Sequence, residues 1–472
     1  MGLRFAIAKV TGNALTWGLR NVAHRPAGNM PGKIALYVDP ALIAHLAPRL
    51  RKGSIVVVGT NGKTTVTNLL ADAIEASGQT VMCNRGGANL DSGVATTMLQ
   101  SGGADWGVFE SDELWLARIL PHLQADYVVL LNLFRDQEDR MGGIERIQES
   151  IVGALSASPN TTLIYTADDP RCAAIANAAP NPSIAVGVGE SMGLAKLGAF
   201  EEIVCHACGA VLDYEVRQYD HLGAYVCPNC GFARPRLDYA AEAVELGASG
   251  LRFAVVEGAS VGESVAGEGA AGAVAAGFAG ADADEAAGRR FEVRYASAAP
   301  YLVYNLASAF VAARVAGVSP EAFQRAVDAF DPKNGRLQRY AIEGHPVLLN
   351  LAKNPTGFNE NLRLILADDK PKAVAFFVND KEGDGRDVSW LKEVDFEALA
   401  ACGCPVVAFA GGLRKEDVKA RLSEAGLDAR LAESMADVLA ALPQSGLPAD
   451  VAVYAIANYT ALPEVKAVLD AL

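Results

Sequence analysis

Short apolar runs alternate with amphipathic segments along most of this chain. The Ile-Val-Val-Val run at 55–58 is followed by a segment in which Leu69, Leu70 and Ile74 recur with the period of a helix. Further runs that predict strands lie at 106–109, 127–131 and 162–165. Strands that alternate with helices form parallel sheets, so the pattern predicts a largely parallel, helix-covered sheet over about residues 53–188.

The same alternation returns in the last third of the chain. Runs that predict strands lie at 347–349, 373–378, 405–409 and 451–455. They predict a second, Rossmann-like α/β domain, and the polar, turn-rich stretch 331–339 before it is suited to a hinge. We therefore predict a helical N-terminal segment at 1–49, a first α/β domain at 50–335 and a C-terminal α/β domain at 336–472.

Two stretches interrupt the first α/β domain. Residues 201–236 are built around paired cysteines, whereas residues 257–290 consist almost wholly of Gly, Ala, Ser, Glu and Val. The second stretch has few large apolar side chains to offset the entropy of ordering. It is predicted to be a flexible insertion that the chemistry does not need.

The first predicted strand is joined to its helix by a glycine-rich turn, Gly59-Thr60-Asn61-Gly62-Lys63-Thr64-Thr65. At such a junction backbone N–H groups and the positive end of the helix dipole face one point, which makes a cradle for phosphate. Lys63 adds a full charge, and the Thr64 hydroxyl is a ligand that Mg²⁺ accepts beside a phosphate. Only two residues separate Gly59 from Gly62, where a P-loop ordinarily has four, and a purely structural turn is the alternative. The context favours binding of a nucleoside triphosphate.

Four of the eight cysteines form two Cys-x-x-Cys pairs, Cys205 with Cys208 and Cys227 with Cys230. Each pair is followed by a glycine, and eighteen residues separate them, a spacing that places four thiolates around Zn²⁺. Four protein ligands leave no open position, so we predict a zinc ribbon that is structural or faces a partner. Redox pairs or unmetallated thiols are the alternative.

Charge and hydropathy exclude several functions. The formal net charge is −14 and no basic stretch offsets it, which argues against a nucleic-acid-binding surface. Apolar residues near the N terminus are interrupted by Lys9 and by 11–13, so they do not predict a transmembrane helix or an export signal. An amphipathic helix that packs on the protein is favoured over one that contacts a membrane surface. The cytoplasm is the expected location.

The order of several motifs resembles that of the Mur ligases, the ATP-dependent amide-forming enzymes of peptidoglycan synthesis. The motifs are the glycine-rich turn, Glu110-Ser111-Asp112-Glu113, Tyr304-Asn305 and Asn334-Gly335-Arg336. The resemblance covers about residues 50–472 and implies a Mur ligase-like central domain that binds ATP. About fifty N-terminal residues are too few for the UDP-binding domain of those enzymes, and Asn132-Leu133-Phe134 stands where they have an Asp-His pair after the strand.

Two further segments and the zinc ribbon are similar to the MurT family, the ligase-like subunits of lipid II isoglutaminyl synthases. The segments are 351–360 and 379–390. The resemblance implies that ATP phosphorylates the α-carboxylate of D-glutamate in the stem peptide of lipid II. Ammonia from a GatD-like glutaminase subunit then attacks the acyl phosphate and gives D-isoglutamine. Such a protein contacts the inner face of the membrane transiently through its lipid substrate.

The resemblance also implies roles for individual residues. Lys63 and the turn amides hold phosphates, while Thr64 and Glu110, which follows a predicted strand, place Mg²⁺. Asn305 reads adenine, Arg336 lies near the phosphates and Asn350 lies near the ribose. An ordinary surface carboxylate is the alternative for Glu110, and a helix cap is the alternative for Asn305.

The nitrogen source must be a second chain or free ammonia, because no cysteine here lies in a nucleophile context. In the family, the ligase-like subunit supplies the acidic member that the glutaminase Cys-His pair lacks. Asp384 is the first candidate and Asp387 the second, and each would orient the partner's histidine. A simple Asp-Gly turn is the alternative.

Two other functions stay open at this point. One is a stand-alone amino-acid ligase of the Mur or folylpolyglutamate type, which needs no glutaminase. The other is a non-catalytic, nucleotide-gated zinc-ribbon scaffold. Intact Lys63, Thr64 and Glu110 argue against the scaffold, because a degenerate site would have lost such groups.

Overall fold

The structure is a computed structural model that describes residues 2–25, 27–134, 143–198, 200–247, 250–258, 289–331 and 335–472. The Gly- and Ala-rich insertion predicted at 257–290 lies outside the described residues except at its two ends. Asn334 of the predicted Asn-Gly-Arg motif also lies outside them.

Three helices precede the first strand: α1 (Leu3–Asn21), α2 (Met30–Val38) and α3 (Leu42–Leu46). A 3₁₀ turn, Ala47–Arg49, leads from α3 into the first strand. Both α1 and α2 pack on a later helix, and Gly12 and Gly32 lie at the contacts, where a β-carbon would collide with the neighbouring helix.

The strands that follow, in chain order, are β1 (Leu50–Val58), β2 (Val81–Cys83), β3 (Ala104–Glu110), β4 (Tyr127–Leu130), β5 (Thr162–Thr166), β6 (Ser183–Val188), β7 (Asp213–Tyr219), β8 (Leu222–Val226), β9 (Tyr239–Gly247), β10 (Gly250–Glu257) and β11 (Arg290–Tyr295). Nine of them form one sheet in the order β11-β10-β9-β6-β5-β4-β1-β3-β2, while β7 and β8 form a separate hairpin. The seven strands from β9 to β2 in this order are mutually parallel, which confirms the predicted parallel sheet. The antiparallel strands β10 and β11 extend its far edge.

Helices cover both faces of this sheet: α4 (Lys63–Ala76), α5 (Asp91–Gln100), α6 (Leu116–Leu123), α7 (Ile144–Ser156), α8 (Pro170–Ala178), α9 (Tyr301–Val315) and α10 (Pro320–Ala329). Alternate residues of each strand face opposite cores because side chains alternate along a strand. Val56 and Val58 face the core that α5 to α8 complete, whereas Ile55 and Val57 face the core of α4, α9 and α10.

The C-terminal sheet has six strands: β12 (Gln338–Ile342), β13 (His345–Leu351), β14 (Lys372–Phe377), β15 (Val406–Gly411), β16 (Ala429–Leu431) and β17 (Ala452–Ala457). Their order is β12-β13-β17-β14-β15-β16, and every pair except β12–β13 is parallel. The helices around it are α11 (Pro355–Leu366), α12 (Phe396–Ala400), α13 (Lys415–Glu424), α14 (Met435–Ala441) and α15 (Leu462–Ala471). This arrangement confirms the second α/β unit.

Several helix starts follow directly from local sequence. Asp169, Ser319 and Asn354 each cap a helix with their side chain, and each is followed by a proline at the first helical position. The side-chain oxygen satisfies a free N–H of the first turn, and proline lacks the N–H that would otherwise be unpaired there. These caps set where α8, α10 and α11 begin.

Candidate functional site

The glycine-rich turn lies at the carboxyl end of β1, at the start of α4. Gly62 has a φ of +89°, a conformation that favours glycine, and it leaves no room for a side chain because Asn305 Oδ1 would lie 2.4 Å from its β-carbon. The turn is tied to the next strand end by Asn132, whose Oδ1 accepts from Asn61 N at 2.8 Å. Gly62, Lys63 and Thr64, at the start of α4, line an open cleft, which is where a phosphate cradle at a helix start would bind its ligand.

Lys63 lies across the turn rather than pointing into solvent. Its Nζ donates to Gly59 O at 2.5 Å and lies 3.4 Å from Glu113 Oε1. Burial, and then the charge of Glu113, raise the pKa of Asp112, although the charge of Lys63 lowers it. Lys63 therefore lies beside two carboxylates, Asp112 and Glu113. A bound polyphosphate would compete with these carboxylates for the positive charge of Lys63.

Thr64 and Glu110 form a buried pair beside this lysine. The Thr64 hydroxyl donates to Glu110 Oε2 at 2.7 Å, and Asn89 Nδ2 donates to Glu110 Oε1 at 3.2 Å. A hydroxyl and a carboxylate at one point, next to a phosphate cradle, are hard oxygen ligands of the kind that Mg²⁺ prefers. These residues fit a magnesium ion, and the role stays a prediction.

A cleft of about 1140 Å³ runs between the two sheets and gathers most of the predicted nucleotide-binding residues. Its lining residues from the first sheet's side include Thr60, Asn61, Gly62, Lys63, Thr64, Thr65, Glu110 and Asn305. Arg336 and Asn350 also line it, together with α11 residues and with Thr460. Gly59 is not among the lining residues. The cleft is large enough for a nucleotide and a second substrate.

Three predicted nucleotide contacts have distinct surroundings. Asn305 lies in the second turn of α9, because that helix begins at Tyr301, so the helix-cap alternative for Asn305 is wrong. Arg336 lines the same cleft as Glu110; burial lowers the pKa of its guanidinium, while the charge of Glu110 raises it. Asn350 lines the cleft, where its Oδ1 accepts from Leu337 N at 2.9 Å and its Nδ2 donates to Asn361 Oδ1.

Glu360 was not singled out by the sequence reasoning. It lies on α11, lines the cleft and is buried. Burial raises its pKa to about 7, although Arg363, whose Nε lies 3.2 Å from Glu360 Oε1, opposes that shift. A carboxyl group that titrates near neutrality in a cleft is a candidate for proton transfer. In the sequence, Glu360 and Arg363 form an i, i+3 pair, which is typical of an exposed ion pair on a helix surface. The sequence therefore carries no sign that Glu360 is buried in the cleft.

The two candidate aspartates for the partner's active site differ in exposure. Asp384 is buried, and both of its oxygens accept from Thr460, one from the backbone N–H at 2.9 Å and one from the hydroxyl. Asp387 is exposed, and its oxygens accept from the N–H and hydroxyl of Ser389 at 2.8 and 2.9 Å. Both stay predictions, and the exposed Asp387 is the one that another chain can reach without a rearrangement.

The four paired cysteines converge. Their Sγ atoms all lie within 4.8 Å of one another, with 3.5 Å between Cys205 and Cys230 and 3.4 Å between Cys208 and Cys227. Four thiolates around zinc, each about 2.3 Å from the metal, stand roughly 3.8 Å apart, so the cluster fits a zinc ion. Gly209 and Gly231 have φ values of +75° and +77°, which explains why a glycine closes each knuckle.

A buried ionic cluster joins the β7–β8 hairpin to both sheets. His221 Nε2 lies 3.2 Å from Asp169 Oδ2, an ion-pair contact rather than a linear hydrogen bond, and His221 Nδ1 lies 3.3 Å from Asp220 Oδ1. Asp220 also accepts from Thr356 at the start of α11, and Arg171 pairs with Glu201. Burial lowers the pKa of His221. The carboxylates of Asp169 and Asp220 raise it by more than burial lowers it, so the net pKa is about 9.

The cluster also reaches the nucleotide cradle. The His221 ring packs edge-on against Phe134 at 4.7 Å between centroids, and Phe134 N donates to Thr60 Oγ1 at 3.0 Å. Asp220 and Thr356 complete a path of direct contacts from the glycine-rich turn, through the hairpin, to the helix that carries Glu360. The β7–β8 hairpin is thus part of the wall of the cleft between the two sheets.

No helix among the described residues combines the length and apolarity that crossing a bilayer requires. The ribbon cysteines and the group Glu201, Asp220 and His221 are the clusters of possible metal ligands found in the described part of the chain. The second group is already balanced by Arg171 and Thr356, so we interpret it as an ion-pair network.

Comparison with known proteins places these features in a family. The Mur ligase middle domain matches residues 57–214, and the MurT ligase C-terminal domain matches residues 351–462. The chain is 29% identical to the lipid II isoglutaminyl synthase (glutamine-hydrolyzing) subunit MurT of Streptococcus pneumoniae, over 99% of this chain and 98% of that protein.

Solved structures share the fold at low sequence identity. A pseudomurein peptide ligase type C from Methanothermus fervidus superposes with a TM-score of 0.65 at 16% identity, over 89% of this chain and 79% of the other. The MurF ligase from Thermotoga maritima in complex with ADP superposes with a TM-score of 0.59 at 13% identity, over 92% of this chain and 82% of the other. These matches confirm the Mur ligase-like fold.

Proposed function

Because this chain belongs to the MurT family of Mur ligase-like proteins, we propose that it is the ATP-dependent ligase subunit of a glutamine-hydrolysing amidating enzyme in peptidoglycan synthesis. Its substrate is the D-glutamate α-carboxylate of the lipid II stem peptide, and the product is D-isoglutamine. The observation that carries the proposal is the convergence of Lys63 and the Thr64–Glu110 pair on a cleft whose other wall is the MurT-type C-terminal unit.

The chemistry begins with activation of a poor electrophile. A carboxylate oxygen attacks the γ-phosphorus of ATP, ADP leaves, and the acyl phosphate that forms has phosphate as its leaving group. Lys63 and the backbone N–H groups at the start of α4 hold the phosphate oxygens and stabilise charge as it moves. Thr64 and Glu110 would hold Mg²⁺, which neutralises charge on the phosphates. Arg336, which lines the same cleft, would add a further positive charge near the phosphates.

The second half-reaction forms the amide bond. Ammonia attacks the carbonyl carbon, phosphate leaves with the former carboxylate oxygen, and the nitrogen loses a proton. Glu360 lies in the cleft with a pKa of about 7, so it is a suitable acceptor for that proton at neutral pH. Asn305 and Asn350 are the proposed contacts to the nucleoside.

Ammonia comes from a GatD-like glutaminase subunit that binds the C-terminal unit. Asp384 or Asp387 would orient the histidine of the glutaminase and stabilise its imidazolium. Both carboxylates already accept two hydrogen bonds, Asp387 from Ser389 and Asp384 from Thr460, but that of Asp387 is exposed whereas that of Asp384 is buried. Zinc in the ribbon would hold the β7–β8 hairpin in the wall of the cleft.

One purification experiment separates this proposal from its alternatives. The chain is assayed alone and with a co-expressed glutaminase for amidation of lipid II that depends on ATP and glutamine. We expect glutamine-driven turnover only with both subunits, and turnover with concentrated ammonium for the chain alone. Amino-acid addition by the chain alone would instead indicate a stand-alone ligase. Bound ATP that is never hydrolysed would indicate a scaffold.

A further inference from the structure

Helix α1 exposes an apolar stripe on the side opposite its packed face. Phe5, Ala8, Gly12 and Thr16 are its buried residues. The stripe consists of Leu3, Ile7, Val10, Ala14 and Trp17, spaced four, three, four and three residues apart, and all are exposed, Leu3 at 78% and Trp17 at 63%. That spacing keeps all of them within one narrow sector of the helix surface. A helix that packs on the protein alone would carry polar residues there.

Helix α2 repeats the arrangement beside it. Met30, Ile34 and Tyr37 recur at the same spacing and are exposed, Tyr37 at 90%, while Gly32 and Ala35 face the protein. Both helices pack on α5, so their exposed stripes lie on the side of the pair that faces away from it. We call the two stripes together the α1–α2 face. It holds seven of the fifteen large apolar residues that the described chain exposes.

The charge of this segment is opposite to that of the whole chain. Residues 1–38 contain Arg4, Lys9, Arg20, Arg25 and Lys33 and no Asp or Glu, whereas the chain carries −14. On α1, Arg4 lies on one side of the stripe, and Lys9 and Arg20 lie on the other, because each is displaced by roughly 100° from its axis. An apolar stripe between rows of cations is the arrangement of helices that lie in the surface of an anionic bilayer.

We propose that the α1–α2 face docks this protein directly on an anionic membrane surface, with Trp17 and Tyr37 at headgroup level. The apolar stripe would enter the boundary between headgroups and acyl chains, and the flanking cations would contact lipid phosphates. A second copy of the chain or another acidic protein could also cover these exposed apolar residues. The flanking of the stripe by cations on both sides favours lipid.

This docking does not depend on the proposed amidation, since it needs neither ATP nor glutamine. For an enzyme that acts on a substrate anchored in a bilayer, it would supply a contact of its own with that bilayer. Binding to vesicles that contain no substrate therefore tests it separately from the reaction.

The full chain is mixed with phosphatidylglycerol–phosphatidylethanolamine vesicles or with phosphatidylcholine vesicles and sedimented. We expect binding to the anionic vesicles that weakens with added salt, and much weaker binding to the neutral ones. Ile7→Glu with Val10→Glu should abolish binding, and Lys9→Glu with Lys33→Glu should weaken it by roughly fivefold or more for each cation. Leu413→Glu and Lys370→Glu, exposed changes on the C-terminal unit, are the matched controls and should bind like the parent.

Tryptophan fluorescence locates the contact. Trp17 is the exposed one of four tryptophans, so vesicle binding should shift its emission to the blue, and Trp17→Phe should bind while losing the shift. Absence of binding to anionic vesicles by the folded parent chain would overturn the proposal. The proposal would also be overturned if the variant with Ile7→Glu and Val10→Glu still bound the vesicles but lost self-association or partner binding.

Discussion

The Thr64 hydroxyl lies 2.7 Å from Glu110 Oε2 and joins the first turn of α4 to the last residue of β3. Both residues are nearly inaccessible, although they face the cleft beside Lys63. The strand order brings them together, because β1 and β3 are parallel neighbours and Glu110 lies opposite Val57 in the register. Two residues that are 46 positions apart thus form one candidate magnesium site.

Loss of this pair should remove ATP turnover while leaving the fold intact. We expect Thr64→Ala and Glu110→Gln each to lower turnover by about 100-fold or more, since a site for charge on the transferred phosphoryl is lost. Thr64→Ser keeps the hydroxyl and is the matched control. ADP release with saturating lipid II measures the effect. Near-normal turnover in both defective variants would exclude these residues as magnesium ligands.

The two aspartates near the proposed glutaminase contact can be separated by nitrogen source. If Asp384 orients the partner's histidine, Asp384→Asn abolishes glutamine-driven turnover and spares turnover with free ammonium. Asp387→Asn gives the same split if the exposed residue has that role. For each variant, the ratio of glutamine-driven to ammonium-driven turnover is compared with that of the parent.

Thr460→Val is the control for the buried candidate. It removes the hydroxyl that donates to Asp384 without removing the carboxylate. If Asp384 only holds the loop around Thr460, both variants lower stability by about 1–2 kcal/mol and change both activities alike. That outcome would leave Asp387 as the candidate.

The ribbon should contain one zinc ion, and each cysteine should matter for it. Cys208→Ser leaves three thiolates, and we expect more than about 100-fold weaker zinc binding because a direct ligand is lost. Cys402→Ser is the control, since Cys402 lies on the C-terminal unit, away from the ribbon. Metal content of the purified chain by mass spectrometry decides this. A parent chain that is purified from zinc-supplied cells with no zinc would contradict the assignment.

His221 should make stability depend on pH. The folded pKa of about 9 exceeds the ordinary value of 6.5, so the folded state holds an extra proton between those values. The stabilisation is complete below about pH 6.5, and roughly 3 kcal/mol is lost as the pH rises through 9. The charged groups around the ring are Asp169, Asp220, Glu201 and Arg171.

Urea unfolding at pH 6 and pH 9.5 measures this loss. His221→Gln should be less stable than the parent at pH 6, and the difference should shrink at pH 9.5, when the parent ring has lost its charge. A parent chain with equal unfolding free energies at both pH values would exclude a charged His221.

Glu360 should shape the pH profile of the amidation. With a pKa of about 7, its carboxyl group becomes able to accept a proton as the pH rises through neutrality. We expect glutamine-driven turnover of the parent to rise over that interval, and Glu360→Gln to be at least about tenfold slower with a flatter profile. Glu360→Asp keeps the charge and is the control. An unchanged profile in the Gln variant would remove Glu360 from the reaction.

Much of the fold was predictable from local signals. Buried parallel strands such as β1 and β14 are continuous apolar runs, and the glycine-rich turn and cysteine knuckles carry their geometry in their spacing. The antiparallel strands β10 and β11 were not predicted. They flank the stretch 257–290. In β11 more and less exposed residues alternate, so it shows no apolar run, whereas β10 contains the buried apolar run 253–256, which had not been assigned to a strand. Their pairing depends on contacts across that stretch.

The candidate site was predictable only where a motif marks it. Lys63, Thr64 and Glu110 lie where the spacing and strand ends indicated, and their catalytic roles stay predictions. His221 and Glu360 carry no local signal, because their shifted pKa values arise from neighbours distant in the chain, such as Asp169, and from burial between the two sheets. Such groups become evident only when the tertiary structure is known.

Transfer of labelled oxygen is the most direct test of the central claim. Lipid II is prepared with ¹⁸O in the D-glutamate α-carboxylate and amidated by the complex of this chain with its glutaminase partner. An acyl phosphate predicts that one labelled oxygen appears in inorganic phosphate for each amide formed, with Lys63→Ala releasing none. Amide formation with unlabelled phosphate would contradict the account.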